Sequence, residues 1–159
     1  MRRPWNLTNL PIYSLVTYDN QGKFNMNICT YVSVVNMNPK IYIIAIDYKS
    51  LTYSNLMNNS SNLLLQILGK DNIRIIRNLG KKSGFNFNKM NFLMNKNLTE
   101  KWKDIDYLKG VSSLLELKNV KKITEFPDHA LFSFELNSYK SINDKILTFN
   151  HLIDNKIIL

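Results

Sequence analysis

The sequence predicts a mainly β fold, a barrel carrying a few short helices. Three observations point there. Runs rich in Ile, Val, Tyr and Thr recur along the chain and are punctuated by Asn, Asp and Gly turn signals. Only two short segments carry helical spacing with capping residues at their ends. With five glycines and four prolines, the turns must lean on Asn and Asp, which tolerate left-handed backbone. At 159 residues, 45% hydrophobic and 21% charged, the chain has the makings of one cored domain spanning residues 1–159, and extended disorder is excluded.

Taken in order, residues 11–18 read as a strand, Asp19-Asn20-Gln21-Gly22 as a turn, and Phe24 as the start of the return strand of a hairpin. Residues 27–35 follow as one strand, with Ile28, Thr30, Val32 and Val34 on one face and Cys29, Tyr31, Ser33 and Val35 on the other. Residues 36–39 break it. Residues 40–46, KIYIIAI, are apolar on both faces, as a central strand is. Ser50 is expected to N-cap a short helix whose inward face holds Tyr53, Leu56 and Met57, ending in the Asn-rich stretch 58–62. Residues 63–68 make a buried strand. Asp71 is expected to cap a second helix, with Ile75 and Leu79 four apart and Gly80 at a left-handed C-cap. Residues 85–109 lack a pattern and read as loop with one helical turn near 100–103. Residues 111–126 and 130–136 read as two long strands joined across Pro127-Asp128-His129. The tail beyond Tyr139 carries no assignment.

Two stretches carry the functional signal. Within residues 27–33, the small side chains of Cys29, Thr30 and Ser33 let a ligand approach the backbone and take hydrogen bonds from its N–H groups, which suits a planar heteroaromatic. An ordinary strand with a polar face has the same pattern. Asp47-Tyr48-Lys49-Ser50-Leu51-Thr52 opens a helix, where free N–H groups and the positive end of the dipole attract phosphate. Ser50 and Thr52 add hydroxyls and Lys49 a charge, although simple N-capping also accounts for Ser50. Gly80-Lys81-Lys82-Ser83-Gly84 is no Walker loop, because Ile75 stands where that motif needs its first glycine. A basic turn touching a phosphate from the side stays open.

His129 follows Asp128, which can orient its ring through one nitrogen, while a lone turn histidine is more often structural. Apart from His151 there is no other histidine, and no cluster has metal-ligand spacing, so no metal is expected. Cys29, the one cysteine, lacks a base nearby in sequence and reads as a small packed residue; it excludes an internal disulfide. The net charge of +9 would suit nucleic acid, but the lysines are scattered and no nucleic-acid motif appears, so nucleic acid is not the expected partner. An RNA-binding barrel is the distant alternative. No apolar region of signal-peptide type follows Met1, and no run approaches a membrane span; a cytoplasmic protein is expected.

In this order and spacing the residues resemble the flavin reductase-like family, built on an FMN-binding split β-barrel. The resemblance is carried by Gly22, Asn27, Cys29, Thr30, Ser33, Val34 and Pro39, then by the helix start from Lys49 to Asn55, then by Lys82-Ser83-Gly84 with Lys89, and last by Asp128-His129. Pro127 stands where the family has glycine. The resemblance implies FMN, with FAD as alternative, and NADH or NADPH as hydride donor. It implies an isoalloxazine ring along the backbone of Ile28, Cys29, Thr30 and Tyr31, a phosphate near Ser33, Lys49, Ser50 and Thr52, and Asn27 and Lys82 as further cofactor-binding residues. It puts His129 beside the nicotinamide, and it implies a homodimer that hands electrons to a partner enzyme. A flavin-binding electron carrier or storage protein without turnover is the other reading.

Overall fold

The computed structural model describes residues 3–59 and 61–158. Strands β1 (Tyr13–Tyr18), β2 (Phe24–Met26), β3 (Val32–Met37), β4 (Lys40–Asp47), β5 (Leu63–Ile67), β8 (Ser113–Glu125) and β9 (His129–Ser141) form one antiparallel sheet in the order β2-β1-β5-β8-β9-β4-β3. A separate hairpin pairs β6 (Thr99–Trp102) with β7 (Ile105–Leu108). The described residues also form a 3-10 turn at Pro4–Asn6 and four α-helices: α1 (Leu51–Asn58), α2 (Ile76–Gly80, entered through a 3-10 turn at Lys70–Ile75), α3 (Lys89–Asn95) and α4 (Phe149–Asp154).

The two outer strands of the sheet, β2 and β3, are consecutive in sequence, and residues 27–31 connect them. That link is tied to β1 by a reciprocal pair of bonds between Tyr13 and Cys29, both 2.9 Å. It is tied to β4 by the Ala45 N–H donating to the Tyr31 carbonyl at 3.1 Å. The sheet therefore curls until its two edges meet across one irregular seam, the split barrel that the family resemblance implies.

Alternation along the strands divides the apolar residues between two cores. Leu15, Ile44, Leu63, Leu65, Leu115, Phe132 and Phe134 fill the barrel, and Leu56 of α1 closes one end. Val16, Leu64 and Leu114 point the other way, where Leu79, Leu93, Leu108 and Leu152 from the helices and the small hairpin cover them. Strand β5 (LLLQI) is thus apolar on both faces. Its one polar residue, Gln66, is fully buried and accepts from the Leu108 N–H at 2.6 Å, which docks β7 on the outside of the barrel. The same hairpin is held by Tyr18, whose hydroxyl donates to Asp106 Oδ2 (2.9 Å) and accepts from the Asp106 N–H (2.8 Å).

Several expectations need correction. Residues 27–35 are not one strand: the regular part starts only at Val32 and runs to Met37, because the preceding residues bridge two different strands. Met57 is 50% exposed; the inward face of α1 is Thr52, Asn55 and Leu56. Gly69, not Asp71, precedes the 3-10 turn, and Asp71 lies within its first turn. Gly80 is the last residue of α2 and is not left-handed; positive φ among the glycines belongs to Gly22 and Gly110. Residues 85–109 hold α3, β6 and β7, and the stretch expected to be helical at 100–103 lies largely in β6. The reliance on Asn and Asp for left-handed backbone is visible at Asn62, Asn97, Asp104 and Asn119, joined by Lys103 and Lys156.

Gly69 sits where the end of β5, Gly110 and residue 146 converge, and a Cβ there would overlap the Gly110 carbonyl oxygen. Gly69→Ala must part these segments and is expected to cost about 2 kcal/mol or more in urea unfolding. Gly22→Ala meets no atom within 4 Å and bears only its positive φ of 76°, so it should cost about 1 kcal/mol.

Candidate functional site

The seam opens on a cleft of about 470 Å³, within the range of small-molecule sites. Its floor is the link itself. Tyr13 takes the Cys29 N–H and Leu15 takes the Asn27 N–H, while Asn27 Oδ1 accepts the Leu15 N–H at 2.8 Å. The N–H groups of Ile28, Thr30 and Tyr31 have no acceptor among the described residues, although an uncommitted main-chain donor is costly away from water. A short run of donors along an irregular strand is what a flat ligand with several acceptors needs.

One wall is the start of α1. Asp47 Oδ1 accepts the Lys49 N–H at 2.8 Å, which turns the chain off β4. Ser50 caps the helix: its Oγ donates to the Asp47 carbonyl (2.7 Å) and accepts from the Tyr53 N–H (3.1 Å). The first-turn N–H groups of Leu51 and Thr52 have no intrahelical acceptor and border the cleft. Thr52 is 1% exposed, and its hydroxyl accepts from Asn25 Nδ2 at 3.1 Å.

The opposite wall runs from the end of α2 through residues 80–84. Gly80 packs so closely on Ile28 that a Cβ would lie 3.3 Å from its side chain. Lys81 and Lys82 follow, the ammonium of Lys82 lying 4.4 Å from the centroid of Phe87. Lys89, from α3, is 6% exposed; its Nζ donates to the Leu79 carbonyl at 2.6 Å, and it has no acidic partner among the described residues. Burial pulls its pKa down to about 8. With Lys49, Lys81 and Lys82 it makes four lysines around the cleft, and among the described residues that line it the one carboxylate is Asp47.

His129, the first residue of β9, stands at the rim. Its Nδ1 lies 2.8 Å from Asp128 Oδ1, and its ring meets Tyr31 edge-on with centroids 5.9 Å apart. The hydrogen bond to His129 holds the Asp128 carboxyl below its usual range. Cys29 is buried, and burial pushes its thiol up to about 12, so it stays protonated at neutral pH and is no nucleophile.

Of the residues singled out from sequence, Asn27, Ile28, Cys29, Thr30, Tyr31, Lys49, Ser50, Thr52, Lys82 and His129 all line this one cleft. Ser33 does not: it lies on the exposed edge strand β3, where its hydroxyl is bonded to the neighbouring Val34 carbonyl. Sequence reasoning missed Asn25. This asparagine is 3% exposed, and its Oδ1 lacks a partner among the described residues. Whichever way the amide is turned, one polar atom is left unanswered in the cleft wall. Its position on β2 gives no hint of this in sequence. Lys89 also lacked a signal for its burial, since α3 fell in a segment without pattern. No group of three or more His, Cys, Asp or Glu residues among the described ones could hold a metal.

The structure is thus a split barrel with a basic, donor-lined cleft at its seam. The chain belongs to the flavin reductase like domain family, whose model matches residues 7–152. Among curated proteins none matches this sequence. Solved structures share the fold at low identity. Flavoredoxin from Methanosarcina acetivorans aligns at a TM-score of 0.73 and 18% identity, over 89% of this chain and 75% of its own. The styrene monooxygenase flavin reductase of Pseudomonas putida S12 aligns at 0.76 and 13%, over 94% and 91%. The NADH:FAD oxidoreductase of Streptomyces globisporus C-1027 aligns at 0.72 and 11%, over 89% and 80%.

Lys89 gives the fold a pH signature. Below about pH 8 the ammonium is charged in both folded and unfolded chains; between that value and 10.5 the folded chain releases the proton first. The unfolded state then holds more protons, so stability rises with pH across that window. Urea unfolding of the wild type and Lys89→Met from pH 7 to 10 is expected to show the wild type gaining on the variant above pH 8.

Proposed function

We propose that this protein is a flavin reductase-type oxidoreductase of the cytoplasm, in which residues 1–159 act as one flavin-binding domain that moves a hydride from NADH or NADPH to flavin. One observation carries the reading: unpaired main-chain donors, a helix N-terminus and four lysines converge in a single cleft of about 470 Å³. The residues fit a flavin on two further counts. The unanswered amide of Asn25 would take a hydroxyl of the ribityl chain, and the N–H groups of Ile28, Thr30 and Tyr31 match the acceptors of the pyrimidine edge.

The flavin, when bound, supplies the redox chemistry. The donors along the seam would stabilise negative charge as it develops on the ring, fixed in place beforehand by the bonds to β1 and β4. The N–H groups of Leu51 and Thr52, with Lys49 and Lys82, would hold the phosphate. Ser50 shapes that site through its cap, because its hydroxyl is already engaged on both sides. His129, oriented by Asp128 and resting on Tyr31, would align the nicotinamide at the rim; hydride transfer asks chiefly for such alignment. Reduced flavin would then serve an electron-accepting partner enzyme.

A homodimer is part of the proposal. Val34, Val35 and Met37 on the edge strand β3, Ile123 near the end of β8 and Phe126 just beyond it are all at least 43% exposed. The wild type is expected to sediment at twice the mass of the chain, and Val35→Glu to shift it towards monomer.

Ser50→Asp tests the phosphate site. Aspartate still accepts the Tyr53 N–H as a cap, though it loses the bond to the Asp47 carbonyl, and it sets a like charge against the phosphate. Flavin affinity by fluorescence titration is expected to fall at least about tenfold. The wild type should oxidise NADH or NADPH when flavin is added. A protein that binds flavin but leaves the nicotinamide untouched would be a carrier instead.

A further inference from the structure

A second cavity, of about 370 Å³, lies against the first, and the two share Asn25, Leu51, Gly84 and Lys89 as a common wall. Resting on the flavin reading of the first cavity, we propose that the second receives the adenylate half of a flavin dinucleotide, so that this protein prefers FAD to FMN.

The wall is built for a chain of phosphates passing over it. Gly84 forms its rim, and any Cβ there would come within 2.7 Å of Asn25 Oδ1 and 2.9 Å of Leu51. Only glycine lets the loop lie so low, and the rim is bare main chain. Lys89 is buried in that wall with its Nζ donating to the Leu79 carbonyl and, among the described residues, with no acidic ion-pair partner. A mononucleotide phosphate at the tip of α1 is already met by Lys49 and Lys82. A pyrophosphate would bring a second negative charge beside the buried ammonium, which burial otherwise leaves uncompensated.

Beyond the wall the chemistry changes to that of a base site. Phe85 is 59% exposed and offers a ring face for stacking, while Asn86 offers an amide edge with both donor and acceptor. Phe87 backs the cavity and meets the Lys82 ammonium, which borders the first cavity. The carboxylate of Asp19 is engaged by the main-chain N–H groups of Gln21 and Lys23 at 2.8 and 2.9 Å. NADH carries the same adenylate group. The flavin is favoured because the second cavity shares Leu51 and Lys89 with the phosphate end of the first and includes neither Tyr31 nor His129.

The test is titration of the full chain with FMN, FAD and NADH, followed by fluorescence, for the wild type, Phe85→Ala and Phe85→Tyr. The wild type is expected to bind FAD about tenfold more tightly than FMN, the scale of one base stacked on an aromatic ring. Phe85→Ala should bring the ratio of the two affinities close to one, and Phe85→Tyr should restore it. Equal wild-type affinities, a ratio unmoved by Phe85→Ala, or an effect of Phe85→Ala confined to NADH would each overturn the FAD assignment while leaving flavin binding intact. If neither flavin binds, the reading of the first cavity fails as well.

Discussion

The candidate site of this molecule depends on how its sheet closes. A curled sheet of seven strands has two raw edges, and unpaired edge groups are costly and sticky. Here the edges are joined by residues 27–31, which bond to β1 at Cys29 and to β4 at Tyr31. Because the link serves two strands in turn, it cannot satisfy its own donors in between. The free N–H groups of Ile28, Thr30 and Tyr31 are a geometric consequence of closure, and they form the floor of the candidate site. The surrounding elements brace that link: the end of α2 lies on Ile28, and Asn27 reaches back to Leu15.

Electrostatics then decides which ligand such a groove can take. Four lysines against one aspartate give the cleft a strong positive bias, and the helix tip adds to it. Lys89 is the extreme case, a cation held in a nearly dry wall and steadied by a single carbonyl. The net charge of +9 gave no direct clue to this, since most lysines do sit on solvated faces. What matters is that a few of them are gathered by three separate pieces of chain, at 49, 81–82 and 89.

The legible parts of the sequence were those whose local chemistry agrees with the fold. Ser50 could be read as a cap because capping needs only neighbours, and the strands at 40–46 and 63–68 declared themselves by composition. The β6–β7 hairpin was illegible because its turn, Lys103-Asp104, puts two non-glycine residues at positive φ, without the Asn-Gly or Asp-Gly signal. The seam was read as a regular strand because alternation persists through it; only tertiary bonds to two partners reveal the break. Ten of the eleven site residues chosen from sequence nevertheless meet in one cleft, since nearly all lie on either side of β4 or on the link. Ser33 is the exception: it lies just beyond the link, where β3 has begun.

The two cores have a further consequence for how the molecule opens. Leu64 and Leu65 are adjacent in sequence yet belong to opposite cores, as do Leu114 and Leu115. Neither side of the sheet can loosen without disturbing β5 and β8, so local openings are confined to the rim. The most slowly exchanging amides therefore belong to these shared strands.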